Sequence, residues 1–186
     1  MNEARHATAI HDAGHAVVSY LLGRRITYVV LSDDQHGETM TEWSLDNTNF
    51  EYYENNDPKE DPESKLIQDA LRCDMAIAVA GAIAQDDLCG DSTLIKSELK
   101  RDLDRANCGA ALIHRGLDPP HCRYPWDQCQ YCEDYLEKMR LTVRQMLAKP
   151  LVRYSIKALA ADKLESLENS VKQTDPKLKS SSRRKV

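Results

Sequence analysis

The sequence predicts an α+β fold that is mostly helical and contains one small β-sheet. Apolar side chains recur at helical spacing in four stretches of the chain, and one short region is dense in β-branched and aromatic residues. The length of 186 residues suits a single domain with its own core. We therefore expect one folded domain over residues 1–170, with an acidic loop at about 45–63, and a flexible basic tail over residues 171–186.

The N-terminal part of the domain is predicted to hold one helix and the sheet. Residues 3–22 place apolar or small side chains on one helical stripe, and Gly23 marks the end of the helix. The first strand, Ile26–Leu31, is predicted from its β-branched residues. The second strand, Glu38–Ser44, is predicted from the alternation of its side chains, and the acidic segment that follows reads as a solvated loop.

The rest of the domain is predicted to be helical. Residues 64–88 form one helix, and its alanine-rich centre allows a neighbouring helix to approach closely. A further helix covers residues 94–116 and ends before Asp118-Pro-Pro. Residues 133–169 form one or two helices around Pro150.

The composition excludes several classes of protein. A formal net charge of −5 argues against a surface that binds nucleic acid. No apolar stretch approaches the roughly 20 residues of a membrane-spanning helix. The polar N-terminus does not resemble a secretory signal, so we expect a cytoplasmic protein. In that reducing compartment the six cysteines would be thiols or metal ligands rather than disulfides.

The motif with the most chemical content is His11-Asp12-Ala13-Gly14-His15 in the first predicted helix. Two histidines four residues apart lie on one helix face, where both imidazoles can bind one metal ion. A carboxylate directly after the first histidine lies beside that face and can accept a proton from metal-bound water, which makes Asp12 a candidate general base. The alternative is that this spacing arises by chance and that the histidines are solvated or hydrogen-bonded in the core.

This helix resembles the His-Glu-Ala-Gly-His-Ala helix of the peptidase domain of FtsH-type zinc metalloproteases, and the order of later motifs is also similar. In that family an alanine-rich helix ends in Ala-x-(Asp/Glu)-(Asp/Glu)-Leu-x-x-Gly, and a later helix contains Asp-Leu-x-x-Ala. The likeness covers roughly residues 4–165. The matching residues are Ala84-Gln85-Asp86-Asp87-Leu88-Cys89-Gly90 and Asp102-Leu103-Asp104-Arg105-Ala106.

The resemblance implies a function and a set of ligands. It assigns His11, His15 and Asp102 to one Zn²⁺ ion and Asp12 to catalysis, in a metallopeptidase that hydrolyses peptide bonds of unfolded or flexible segments. An extended substrate would add to the edge of the predicted sheet. The departures are the lack of an ATPase domain, the lack of a transmembrane segment and the sequence Ser92-Thr93-Leu94-Ile95-Lys96 in place of the family's threonine-rich turn.

The family's catalytic glutamate is an aspartate here, and the shorter side chain withdraws the carboxylate by about 1.5 Å. A displacement of this size can cost about 100-fold in rate, so we expect reduced activity. One alternative function is therefore a catalytically weakened or inactive zinc-binding interaction module, and another is a helical protein that binds no metal. Assembly into a homo-oligomer is left open.

A second candidate metal site lies in the predicted segment before the last helices. His121, Cys122, Cys129 and Cys132 offer four ligands, with His114 nearby, but they lack the two paired knuckles of recognised zinc patterns. The alternative is a set of free thiols. The carboxylates of Asp91, Glu98 and Asp104 flank Asp102 and are more typical of a solvated helix face.

Overall fold

The computed structural model describes residues 3–31, 37–41, 62–90, 96–117 and 130–174. These residues form five helices and two strands, so the prediction of a mostly helical protein is confirmed. In chain order the elements are α1 (Glu3–Leu21), β1 (Ile26–Leu31), β2 (Gly37–Thr41), α2 (Pro62–Cys89), α3 (Lys96–Leu117), α4 (Gln130–Leu147) and α5 (Pro150–Thr174).

The element boundaries differ from the predicted ones at several ends. Helix α2 begins at Pro62, inside the predicted acidic loop, because proline is favoured in the first turn of a helix. Strand β2 begins at Gly37 and ends at Thr41, and the remaining predicted residues 42–44 lie outside the described part of the chain. Helix α5 includes residues 171–174, which the sequence assigns to the basic tail.

Glycines end the first two helices. Gly23 has a φ of 74°, its N–H donates to the carbonyl of Tyr20, and the N–H of Arg24 donates to the carbonyl of Ser19. This pair of bonds is the Schellman arrangement, which needs a residue in the left-handed region and therefore favours glycine. Gly90 ends α2 in the same region with a φ of 80°.

Helices α1 and α2 run antiparallel in direct contact, since residues 11 and 15 of α1 and residue 24 just after it meet α2 residues 85, 77 and 70 in turn. The two backbones approach closely at Gly14. A Cβ placed there would lie 2.7 Å from Cβ of Ala84 and 2.9 Å from the carbonyl oxygen of Ala80. The small residues read from the sequence therefore determine how closely these helices pack.

Helix α2 is the centre of the packing, because it contacts α1, α3 and α4, while α5 packs on α1 and β1. The largest fully buried side chains come from all five helices, and the apolar ones form one core. Burial of a side chain of this size contributes about 1.5–3 kcal/mol. Among them are Ile10, Leu71, Met75, Ile113 and Ile156.

Strands β1 and β2 form an antiparallel pair that lies on α1. Val29 is opposite Thr39 and Val30 is opposite Glu38, with a register irregularity between Ile26 and Tyr28. Among the described residues each strand has only this one partner, so each has an open edge. Over the same residues no helix has the length and apolarity needed to cross a membrane.

Candidate metal centre

Helix α1 brings the two histidines of the motif together on its face toward α2. His11 is 3% exposed, and the Nε2 atoms of His11 and His15 lie 3.0 Å apart. The ring planes are inclined at 81°. The i, i+4 spacing of the sequence motif therefore produces two imidazoles whose Nε2 atoms point to one position.

Helix α3 adds a carboxylate to this position. Oδ2 of Asp102 lies 2.9 Å from Nε2 of His11 and 3.2 Å from Nε2 of His15. The three residues form a group that can hold a metal ion, and it is the one such group among the described residues. Residues that are 91 positions apart in the chain thus meet at one point.

The carboxyl group of Asp102 is held in its ionised form. Burial alone would raise its pKa, but contacts with His11 and His15 outweigh burial and hold the pKa well below its usual range. The site therefore presents a permanent negative charge to the two imidazoles, which favours a bound cation.

The other ring nitrogens of both histidines contact α2. Nδ1 of His15 lies 2.6 Å from the carbonyl oxygen of Ile77, which can only accept, so Nδ1 of His15 carries a hydrogen and donates. Nδ1 of His11 lies 3.1 Å from Oε1 of Gln85, and with this assignment of the amide it also donates. Each Nε2 is then the nitrogen that faces the other imidazole and the Asp102 carboxylate, and a proton or a cation must lie between these atoms.

The spacing of the three donor atoms fits a transition-metal ion. Ligand atoms at about 2.0–2.2 Å from one ion lie about 2.8–3.6 Å apart for coordination angles between octahedral and tetrahedral. The observed separations of 2.9, 3.0 and 3.2 Å fall in this range. Three electron-rich atoms so close together would repel one another unless a proton or a cation lies between them.

Gly81 of α2 leaves the space that the imidazole rings occupy. A Cβ at this position would lie 2.4 Å from Nε2 of His15 and 2.8 Å from Cδ2 of His11. No real Cβ makes contacts this short, so any other residue would displace the rings. The absence of a side chain at Gly81 is therefore part of the site.

The triad is partly accessible to solvent. The side chain of His11 is 4% exposed, whereas those of His15 and Asp102 are 12% and 15% exposed. Three protein ligands with partial access are typical of catalytic metal sites, which keep a position open for water or substrate. Structural zinc sites are instead closed by four protein ligands.

Asp12 lies on α1 between the two histidines and is 5% exposed. At about 100° per residue, its side chain leaves the helix about 60° from that of His15 and about 100° from that of His11. Its backbone carbonyl accepts a hydrogen bond of 3.1 Å from Oγ1 of Thr39 in β2. The backbone of Asp12 is thus joined to β2, and helix geometry directs its side chain to the flank of α1 next to His15.

Of the other sequence candidates, those whose side chains the structure describes are not part of this group. Asp104 is exposed on α3, as expected for a solvated face. The position of Asp91 and the side chains of Glu98 and His114 lie outside the described structure. Of the second candidate metal site, His121, Cys122 and Cys129 also lie outside it, whereas Cys132 is buried in α4.

The sequence did not assign a role to three residues that touch the histidines, namely Ile77, Gly81 and Gln85. They are four residues apart along α2 and therefore lie on one face of it. The sequence shows that these three residues share one face of α2. It does not show that this face packs against the histidines of α1, because the pairing of the two helices is a tertiary contact.

No model of a known protein family matches the chain, and no curated protein is significantly similar to it.

Proposed function

We propose that the protein is a zinc-dependent metallopeptidase that resembles the peptidase domain of FtsH-type proteases. The observation that carries this proposal is the convergence of two imidazole Nε2 atoms and one ionised carboxylate, with both Nδ1 atoms in contact with α2. His11, His15 and Asp102 would bind the ion. A zinc ion there would supply a Lewis acid that polarises a carbonyl group and acidifies water.

The chain's own residues supply the proton transfer and the orientation. The Asp12 carboxylate accepts a proton from the attacking water and returns it to the leaving amine. Its burial, with 5% of the residue exposed, limits its solvation by bulk water and supports this role. The hydrogen bond from Thr39 to the backbone of Asp12 joins β2 to the helix that carries the base.

The substrate class proposed is an extended peptide or an unfolded segment. Such a chain can add to an open strand edge through main-chain hydrogen bonds, and the described β1–β2 pair has open edges. Because β2 is attached to α1 at Thr39, a peptide on this sheet would run near Asp12. Unfolded substrates are favoured since only an extended backbone can form these bonds.

Zinc is favoured over ferrous iron, although two histidines and one carboxylate suit either ion. A buried carboxylate directly after the first histidine serves hydrolysis, which needs a base beside the ion. Redox chemistry at iron does not require this residue.

Metal content tests the first part of the proposal. Elemental analysis of the purified protein is expected to give one zinc per chain. A His15→Ala variant in a background without cysteines should lose this zinc, whereas His6→Ala on the same helix should retain it. Iron in place of zinc, or undiminished zinc in His15→Ala, would contradict the proposed site.

Peptidase assays test the second part. Casein cleavage that a chelator abolishes is expected for the wild type. Asp12→Asn should lower the rate about 10²–10⁴-fold while zinc stays bound, because an amide cannot accept the proton. Asp12→Glu should raise the rate by up to about 100-fold, because its carboxylate reaches about 1.5 Å further. Asp104→Glu, on the exposed face of α3, is the matched control and should change nothing.

Two results would change this conclusion. If the wild type cleaves efficiently and Asp12→Glu is slower, the backbone is already placed to suit aspartate. If neither form cleaves any unfolded substrate although both bind zinc, the protein is the zinc-binding interaction module considered above.

A further inference from the structure

The face of α2 that meets the histidine pair has one polar side chain. Along this face, Ile77 offers a backbone carbonyl to His15 and Gly81 offers no side chain. Gln85, one turn further, offers an amide to His11. The two histidines therefore differ in their partners on α2. The partner of His15 is a backbone carbonyl, which no substitution removes, whereas the partner of His11 is a side chain that a substitution can remove.

The side chain of Gln85 is buried, with 3% of the residue exposed. An amide moved from water to such surroundings costs free energy unless it is hydrogen-bonded. Its Oε1 atom lies 3.1 Å from Nδ1 of His11, which provides this bond. A buried polar residue with a contact to a candidate ligand is difficult to explain by packing alone, since an apolar side chain of the same size would fill the space.

We propose that Gln85 is a positioning residue that fixes the tautomer and ring orientation of His11 for the metal ion. This inference rests on the proposed function. With a hydrogen held on Nδ1 by Gln85, the nitrogen left to bind the ion is Nε2, which lies 2.9 Å from Oδ2 of Asp102. Partners of this kind typically contribute about 10–100-fold to metal affinity.

The amide also leaves the charge of the site unchanged. Asp102 and Asp12 can together balance the charge of one divalent cation, and Gln85 adds none. A glutamate at position 85 would still accept the hydrogen of Nδ1 but would add a buried negative charge beside His11. We therefore expect Gln85→Glu to preserve the tautomer and to bind a divalent cation at least as tightly as the wild type, because a carboxylate partner raises the basicity of the imidazole.

The experiment compares Gln85→Met, Gln85→Glu and Gln68→Met with the wild type. Gln68 is a matched control, because it is also buried in α2 but lies 17 residues away, about 25 Å along the helix. Zinc and cobalt affinities are measured by competition with a chromophoric chelator. Nitrogen NMR of metal-free protein then reports whether Nδ1 of His11 carries a hydrogen.

Gln85→Met is expected to lower zinc and cobalt affinity about 10–100-fold and to remove the preference for hydrogen on Nδ1 of His11. Gln85→Glu should keep both properties, and Gln68→Met should change neither. An unchanged affinity in Gln85→Met, or a tenfold loss in Gln85→Glu, would overturn the proposal.

The NMR measurement separates this inference from the proposed function. If the wild type binds no metal, the metallopeptidase proposal fails, but hydrogen on Nδ1 of His11 in the wild type and not in Gln85→Met still supports the role of Gln85 in orienting the ring. The absence of hydrogen from Nδ1 of His11 in the metal-free wild type overturns that role even if Gln85→Met does not fold.

Discussion

Gly81→Ala is the substitution whose effect on the candidate metal centre follows most directly from the structure. The added Cβ would lie 2.4 Å from Nε2 of His15 and 2.7 Å from its Cε1 atom. Ordinary contacts of a Cβ atom begin at 3.4 Å, so the ring of His15 must move by about 1 Å. Nδ1 of His15 donates to a backbone carbonyl of the same helix, which resists this movement.

The effect on stability is the difference of two opposing terms. Alanine in a helix is favoured over glycine by about 0.5–1 kcal/mol. Overpacking in a filled core costs about 1–3 kcal/mol. We expect the metal-free variant to be less stable than the wild type by about 1 kcal/mol. The effect on zinc affinity is larger, because a shift of about 1 Å in Nε2 of His15 moves it away from the point where the three donor atoms converge. A loss of zinc affinity of about 100-fold or more is expected.

Zinc competition titrations and urea unfolding in the presence of a chelator measure the two effects separately. Gly14→Ala is the comparison, because its Cβ would meet Ala84 and Ala80 at the same helix crossing without meeting an imidazole. Gly14→Ala should lower the free energy of unfolding by more than it weakens the free energy of zinc binding. A Gly81→Ala protein that binds zinc within threefold of the wild type would refute the packing of α2 against the rings.

Two further predictions concern metal removal and thiol reactivity. Zinc at 100 times its dissociation constant should stabilise the fold by about 2.7 kcal/mol. This corresponds to a rise of about 5–10 °C in melting temperature that a chelator reverses and Asp102→Asn largely abolishes. Burial raises the pKa of the Cys73 and Cys89 thiols, so less thiolate forms near neutral pH. Mass spectrometry of alkylated protein at pH 8 should show both reacting more slowly than the exposed Cys108, and equal rates would contradict this.

The local structure could be predicted well because its signals are local. Gly23 ends α1 through a left-handed residue, as the sequence indicates. The sequence left open one or two helices around Pro150, and the structure has two, with Pro150 as the first residue of α5. The predicted strand Ile26–Leu31 has the observed bounds. The predicted boundaries are wrong at helix ends, such as the start of α2 at Pro62. The acidic residues there are typical of a solvated loop, but the first turn of a helix also favours acidic residues.

The assembly of the site could be predicted only in part. The spacing of His11 and His15 is enough to place both on one helix face. The assignment of Asp102 as a third ligand rests on the family resemblance, because helical periodicity does not show which later helix packs against the face that carries the histidines. The contact of Gln85 with His11 depends on the register of two antiparallel helices, which is determined by the close approach at Gly14 and Gly81.

The three candidate ligands differ in how firmly their helices hold them. His11 and His15 lie in the middle of α1, against the centre of the core. Asp102 lies within two turns of Lys96, where α3 begins, and helix ends open more readily than helix centres. Metal exchange should therefore follow local opening of this end of α3, and hydrogen exchange there should slow on zinc binding while the α1–α2 pair stays protected throughout.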